Sequence, residues 1–349
     1  MRTAAATRTG CKSVEKRIRD RYGDRVLHEA MERYAIAAGR INLLDGFESY
    51  MYEFNREDGD YILRIGHSIR RSENLISGEV DWINYLAAGG ASVARAVLSE
   101  GGRLVEPIDD GQGGQFLATA FVRARGKPPW EMGWSPAIYR TYGQLLGRIH
   151  ALSRTYEPAD PAWRRPEWDD PMMLEVERFV PSDQTGVIEE YRHVREHLGQ
   201  LPGDSESYGL IHQDAHGGNF LVDDDGNITL FDFDDCVYSW YIYDISMVVF
   251  YLLVGRDDAP ALAAEFMSHF LPAYVSECGL EEAWLSEIPF FLKLREIDLY
   301  AVIHRSFDVD NLDDPWCKRY MDGRRQRIEG EVPFVDFDFG SLAVHLRTR

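Results

Sequence analysis

One stretch constrains this chain more than any other: residues 210–235, which read LIHQDAHGGNFLVDDDGNITLFDFDD. An apolar run ends in His212, Gln213 and Asp214, a polar turn AHGGN follows, and a short apolar pair leads to Asp225-Gly226-Asn227 before ITLF delivers Asp232. Asp and Gly in a turn between two runs of strand-favouring residues predict a hairpin. That hairpin would return Asp232 to the end of the sheet from which Asp214 departs, so that two carboxylates and the Asn219 amide converge. Oxygen donors of this kind suit Mg2+, a hard ion that completes its shell with water and phosphate oxygens rather than with a full protein cage.

The spacing H-x-D-x-x-x-x-N, met here as His212, Asp214 and Asn219, is also that of a kinase catalytic loop, where the Asp accepts the substrate hydroxyl proton and the Asn holds a metal. Asp232, in Phe231-Asp232-Phe233, stands where the acid of a kinase D-F-G would, with Asp234 in place of the glycine. On these residues the chain resembles the aminoglycoside phosphotransferase family, small-molecule kinases to which choline kinases and type II homoserine kinases are similar. The resemblance spans roughly residues 35 to 305 and is strongest over 205 to 250. It implies an α+β, protein-kinase-like bilobal fold, with a small β-rich N-lobe carrying one main helix and a larger, mainly helical C-lobe. It also implies Asp214 as catalytic base, His212 as a brace of the loop, Asn219 and Asp232 as Mg2+ ligands, and ATP or GTP as phosphate donor. Asp244, in Tyr243-Asp244-Ile245, would be the buried acid that supports the loop from a following helix.

A chain of 349 residues fits about two domains at the usual ~150 residues each. The expected divisions are an N-terminal helical arm over 1–34, a nucleotide-binding N-lobe over 35–122, and a C-lobe over 123–349 that carries the catalytic loop and the substrate site. No apolar run reaches the ~18 residues needed to cross a bilayer, and the first residues lack the apolar core of a secretory signal. A cytoplasmic chain without a membrane partner is expected. Cys11, Cys236, Cys278 and Cys317 lie far apart with no C-x-x-C, so neither a zinc knuckle nor a disulfide framework is indicated. Formal charge is −20, although residues 1–34 hold nine Lys or Arg against five acids. That acidity argues against nucleic acid as a partner and would attract a cationic substrate.

Residues 12–34 alternate charge with Val14, Ile18, Tyr22, Val26 and Leu27 at helical spacing, which predicts an amphipathic helical arm. From Ile41 the pattern changes to short strands, INLL, FESYMYEF and DYILRI, separated by Asp45-Gly46 and Asp58-Gly59. No G-x-G-x-x-G appears at the first turn, so it reads as a simple hairpin as readily as a phosphate loop. Arg64 stands where a kinase's third strand supplies its phosphate-contacting Lys, and Arg binds phosphate or carboxylate through a planar fork. A helix capped by Ser72 and stopped by Gly89-Gly90 follows, and Glu79 within it could reach Arg64. Further strands are expected over 93–98, 103–108 and 115–123, and the run from Thr119 through Phe121 to Val122 takes the position of a hinge whose backbone binds a purine edge.

Residues 136–154 predict a helix in which His150 packs in the core. The segment PFFLKLREIDLYAVIH, ending at His304, is apolar on most sides, so Arg295, Glu296 and Asp298 need partners. They satisfy one another and neighbouring helices, or, with Asp235 and Tyr300, they line the acceptor site. Only eleven residues separate Asp232 from Asp244, with no A-P-E, so a small hydroxylated molecule is the expected acceptor rather than a protein. Two other readings remain at this level. One is a nucleotide-binding protein without catalysis. The other is a metallohydrolase in which His212, Asp214 and His216 project from one face of an extended segment onto zinc. His216 and Asp234 receive no role in the kinase reading.

Overall fold

The computed structural model describes residues 14–44, 46, 48–173 and 176–346. Cys11, and Asp45 of the first expected turn, lie outside them; Cys236, Cys278 and Cys317 are free and buried. The chain divides into two compact units, Met1–Arg125 with Glu157–Arg165, and Gly126–Tyr156 with Pro166–Arg349. The first unit thus runs three residues past the expected limit at 122 and takes back a short later segment. It also includes the N-terminal arm.

In the first unit, helices α1 (Lys16–Arg19) and α2 (Asp24–Arg33) precede strands β1 (Ile41–Leu44), β2 (Tyr50–Arg56) and β3 (Gly59–His67). Helix α3 (Glu73–Ala88) and strands β4 (Ala96–Val97), β5 (Glu106–Asp109) and β6 (Gln115–Val122) follow. The strands form one antiparallel sheet in the order β1-β2-β3-β6-β4, with β5 also paired to β6. Side chains alternate across a strand, and the two faces of this sheet carry different cores. Tyr50, Tyr52, Leu63, Ile65, Phe116 and Ala118 meet Val26, Ala30 and Tyr34 of the arm. Leu117 and Phe121 meet Ile76 and Val80 of α3. The single helix expected over the arm is two, because Gly23 is extended (φ −162°) and caps the second. Just before it, Tyr22 stacks on Tyr50 with ring centroids 3.6 Å apart. Ser72 caps α3 as expected, its hydroxyl accepting from Leu75 N.

The hinge expected at Thr119 to Val122 lies inside β6. Ala120 and Phe121 are flanked by β3 on one side and β4 on the other, and Val122 N donates to Arg95 O. The two-residue strand β4 closes this edge, and it is too short to carry a period in the sequence.

The second unit is mainly helical. Helices α4 (Pro129–Met132), α5 (Pro136–Ser153), α6 (Val176–Phe179) and α7 (Thr185–Leu198) lead to β7 (Tyr208–Ile211), β8 (Phe220–Val222), β9 (Ile228–Leu230) and β10 (Val237–Trp240). Helices α8 (Tyr241–Leu253), α9 (Ala259–Val275), α10 (Ile288–Ser306), α11 (Pro315–Met321) and α12 (Arg324–Glu329) complete it. The predicted hairpin is β8–β9, turning at Gly226 with φ 83°. It does not rejoin the strand from which the loop departs: β7 pairs with β10 in a separate ladder. No helix among the described residues is long and apolar enough to cross a membrane.

Helices α5 and α9 cross at two glycines one turn apart. A Cβ on Gly143 would run into Phe270 O, and one on Gly147 would stand 2.5 Å from Tyr274 O. Both obstacles are backbone, so neither yields. Gly143→Ala is expected to destabilise the fold by about 1–3 kcal/mol, the usual cost of overpacking, read as a lower urea midpoint at unchanged slope.

Candidate active site

In the first unit the predicted pair of Arg64 and Glu79 is formed. Arg64 Nη1 and Nη2 donate to Glu79 Oε1 and Oε2 at 2.8 and 2.6 Å, a two-pronged contact between side chains 7% and 1% exposed. The guanidinium lies over the Phe121 ring, 5.0 Å from its centroid. Thr119 is opposite Arg64 in the ladder, and its hydroxyl is buried without a hydrogen bond among the described residues. Arg64, Thr119 and Phe121 therefore share the sheet face that α3 covers. Side chains, not a free backbone edge, are what Thr119 and Phe121 contribute here.

In the second unit the residues between β7 and β8 form the predicted loop, and its anchor is Asp244 on the first turn of α8. Asp244 is fully buried; Oδ2 accepts from His212 N at 2.8 Å and Oδ1 from Gln213 N at 2.7 Å. His150, also fully buried, faces the same carboxylate through Nε2 at 3.2 Å, and its Nδ1 lies 2.8 Å from the Tyr274 hydroxyl. Burial holds the His150 imidazole below its usual pKa, although Asp244 opposes the shift. The neutral ring then donates from Nε2 to the carboxylate and accepts at Nδ1 from Tyr274. Gln213 adopts φ 67°, a left-handed conformation of the kind held only where surroundings impose it. Tyr142 adds a further brace by donating its hydroxyl to Ala215 O.

His212 is enclosed and spends both ring nitrogens within the protein. Nδ1 accepts from Asp214 N at 3.2 Å, and Nε2 donates to Phe231 O at 3.0 Å, which ties the loop to the residue before Asp232. This removes the zinc reading: His212 has no lone pair to give. No group of three His, Cys, Asp or Glu side chains among the described residues is arranged to hold a metal.

Asp214 is the meeting point. Oδ2 accepts from Asn219 Nδ2 at 2.9 Å and faces His216 Nε2 at 3.3 Å, while Oδ1 accepts from Arg295 Nη2 at 2.9 Å. Burial alone would raise its pKa, but His216 and then Arg295 outweigh burial and hold it at about 2. Asn219 gives its amide group to Asp214 twice, to Oδ2 and to the backbone O, each at 2.9 Å. Asp232 is exposed, with φ 65°.

The acceptor candidates separate. Arg295 reaches Asp214 and also donates to the Tyr251 hydroxyl. Glu296 does not face an open site: it is fully buried between Lys293 Nζ, at 2.6 Å, and the Arg324 guanidinium. Tyr300 is buried as well and donates to Gln184 Oε1 at 2.8 Å. Asp298 accepts from the Tyr243 hydroxyl at 3.4 Å, and Asp235 is half-buried beyond the loop. For Glu296 and Tyr300 the salt-bridging and core alternative holds. Missed altogether were the contact of His216 with Asp214 and the place of Tyr251, whose ring lies 4.4 Å from that of His216. A signal for Tyr251 existed, since it follows Asp244 by two helical turns and so shares its face.

A model of the phosphotransferase enzyme family (APH) matches residues 41–280. Amicoumacin kinase of Bacillus subtilis (strain 168) is 38% identical over 323 residues, which cover 91% of this chain and 96% of that relative. The solved structure of an amicoumacin kinase in complex with AMP-PNP, Ca2+ and Ami, at 38% identity, superposes with a TM-score of 0.90 over 95% of this chain and 100% of its own. A microcompartment-associated aminopropanol kinase shares the fold at 23% identity, with a TM-score of 0.71 over 88% of this chain and 97% of its own. With the kinase spacing seated on a braced loop and matches of this breadth, the chain belongs to the phosphotransferase enzyme family: it is a small-molecule kinase of α+β, protein-kinase-like fold.

Proposed function

We propose that this protein transfers the γ-phosphate of ATP or GTP to a hydroxyl of an amicoumacin-like small molecule, with Mg2+, and that Asp214 is the base. The observation that carries this reading is the Asp214 carboxylate, fixed by donors from Asn219, His216 and Arg295 on a loop pinned by Asp244. The acceptor class is supported by the relative's name and by the complex with AMP-PNP, Ca2+ and Ami.

In this mechanism the acceptor hydroxyl donates to Asp214. Its oxygen forms a bond to the γ-phosphorus, the bond from that phosphorus to the bridging oxygen breaks, the nucleoside diphosphate leaves, and the hydroxyl proton passes to Asp214. A carboxylate held at a pKa of about 2 is a weak base, so it orients the hydroxyl first and takes the proton late. That order suits the loose transition state of phosphoryl transfer, in which positioning and electrostatics dominate. Asn219 turns its amide hydrogens to Asp214, which leaves its carbonyl oxygen to join the Asp232 carboxylate as an all-oxygen donor set fitting Mg2+. Bound there, Mg2+ supplies charge neutralisation for the phosphates. His212 holds the loop and moves no proton.

The test is phosphate transfer from ATP and from GTP, with and without Mg2+, to amicoumacin, aminoglycosides, choline and homoserine. Mg2+-dependent transfer to amicoumacin is the expected result; absence of nucleotide binding would overturn the proposal. Arg64→Lys replaces a fork engaged with Glu79 by a point charge. It is expected to raise the nucleotide KM by roughly tenfold, the weight of one charge-assisted hydrogen bond, in steady-state kinetics.

A further inference from the structure

An ionised carboxylate offers about four lone-pair positions. At Asp214, Oδ2 accepts from Asn219 and has His216 Nε2 beside it at 3.3 Å, and Arg295 occupies one position on Oδ1. With Oδ2 hemmed in by Asn219 and His216, a position open to a hydroxyl is on Oδ1, so an acceptor binding there stands beside Arg295 Nη2.

Arg295 is itself incompletely used. Its side chain is 16% exposed, and it is held in place by the Tyr251 ring, 5.2 Å from the guanidinium carbon, as well as by the Tyr251 hydroxyl. The two Nη2 hydrogens go to Asp214 and Tyr251. Nε is buried without a partner, and Nη1 makes no hydrogen bond among the described residues and is not closed off from solvent. A planar fork fixed at one end beside the base therefore keeps an unspent donor next to the acceptor's place on Oδ1. Its charge is already matched by Asp214. A second carboxylate would place two anions on one cation, so the oxygen that Nη1 takes is a neutral one.

We propose that Arg295 selects the acceptor: Nη1 takes a neutral oxygen on the carbon next to the hydroxyl that Asp214 receives, so the enzyme prefers vicinal diols and α-hydroxy carbonyl compounds over isolated alcohols. This rests on the reading of Asp214 as the base. A site built to hydrogen-bond a substrate oxygen discriminates strongly against the analogue that lacks it, because its buried donor is then left unpaired.

The experiment titrates 3-amino-1,2-propanediol and 1-amino-2-propanol, which differ by the one neighbouring oxygen, into the full protein with ADP and Mg2+, by calorimetry. The diol is expected to bind at least about tenfold more tightly, and the gap to close in Arg295→Met and in Arg295→Lys. The second variant retains a cation for Asp214 but lacks the fork, so it keeps the test valid if the first does not fold. Equal affinities, no measurable binding of the diol, or an unchanged gap in Arg295→Lys would each overturn the proposal. Undiminished transfer in Asp214→Asn would instead remove the assignment of the base, and it is read separately in the transfer assay.

Discussion

Asp214→Asn is expected to lower kcat for phosphate transfer by on the order of 10²–10⁴, the range found when a positioned acid or base is removed, while Mg2+-dependent nucleotide binding is retained. The substitution keeps the size of the side chain and takes away what the surroundings are built around. Asn219 Nδ2, His216 Nε2 and Arg295 Nη2 all point at this carboxylate, and an amide supplies one oxygen acceptor where the carboxylate supplies two. It also has no site for the acceptor's proton. Steady-state transfer assays beside calorimetric nucleotide titration separate the two quantities. Turnover equal to that of the wild type would show that Asp214 is not the base.

Glu296→Ala is expected to cost the fold about 3–5 kcal/mol, as when one partner of a buried ion pair is removed and the other charges are stranded. Lys293 and Arg324 both converge on this carboxylate, which is fully buried, and the Tyr320 hydroxyl donates to the Glu296 backbone oxygen at 2.7 Å. Thermal and urea unfolding measure the loss, and among folded molecules the acceptor KM is expected to stay unchanged. A raised KM at undiminished stability would return Glu296 to the acceptor site.

How much of this was legible in the sequence follows the distance over which each contact acts. His212, Asp214, Asn219 and Asp232 lie within one short stretch, so their spacing carries the loop, and Arg64 and Glu79, only 15 residues apart on consecutive elements, are paired by the strand-then-helix order of a kinase N-lobe. The contact of Arg295 with Asp214 spans 81 residues, and nothing local marks it. On α10 the apolar pattern shows that Glu296 and Tyr300 are buried, yet not which neighbours meet them. Lys293 lies on the same helix, but Arg324 comes from α12 and Gln184 from the residue before α7. The surroundings of the hinge position at the end of β6 were hidden for a related reason, because they depend on β4, a partner of two residues. The hairpin was found but given the wrong company, because turn residues specify which strands are joined and say nothing of the ladder beyond them.

The hold of Asp244 on the loop has a consequence for how this site can change. It grips peptide N–H groups, those of His212 and Gln213, and a peptide N–H is the same whatever side chain it carries. The position of Asp214 is therefore insulated from the chemical identity of its predecessor. A change at residue 213 leaves both bonds in place, provided that the newcomer tolerates a φ of 67°, fits the half-buried space of the Gln213 side chain and is not proline, which has no hydrogen to offer. Glycine enters that conformation freely, and asparagine or aspartate enters it more readily than most. An anchor that grips the main chain fixes the base through bonds that a change of side chain at residue 213 does not remove.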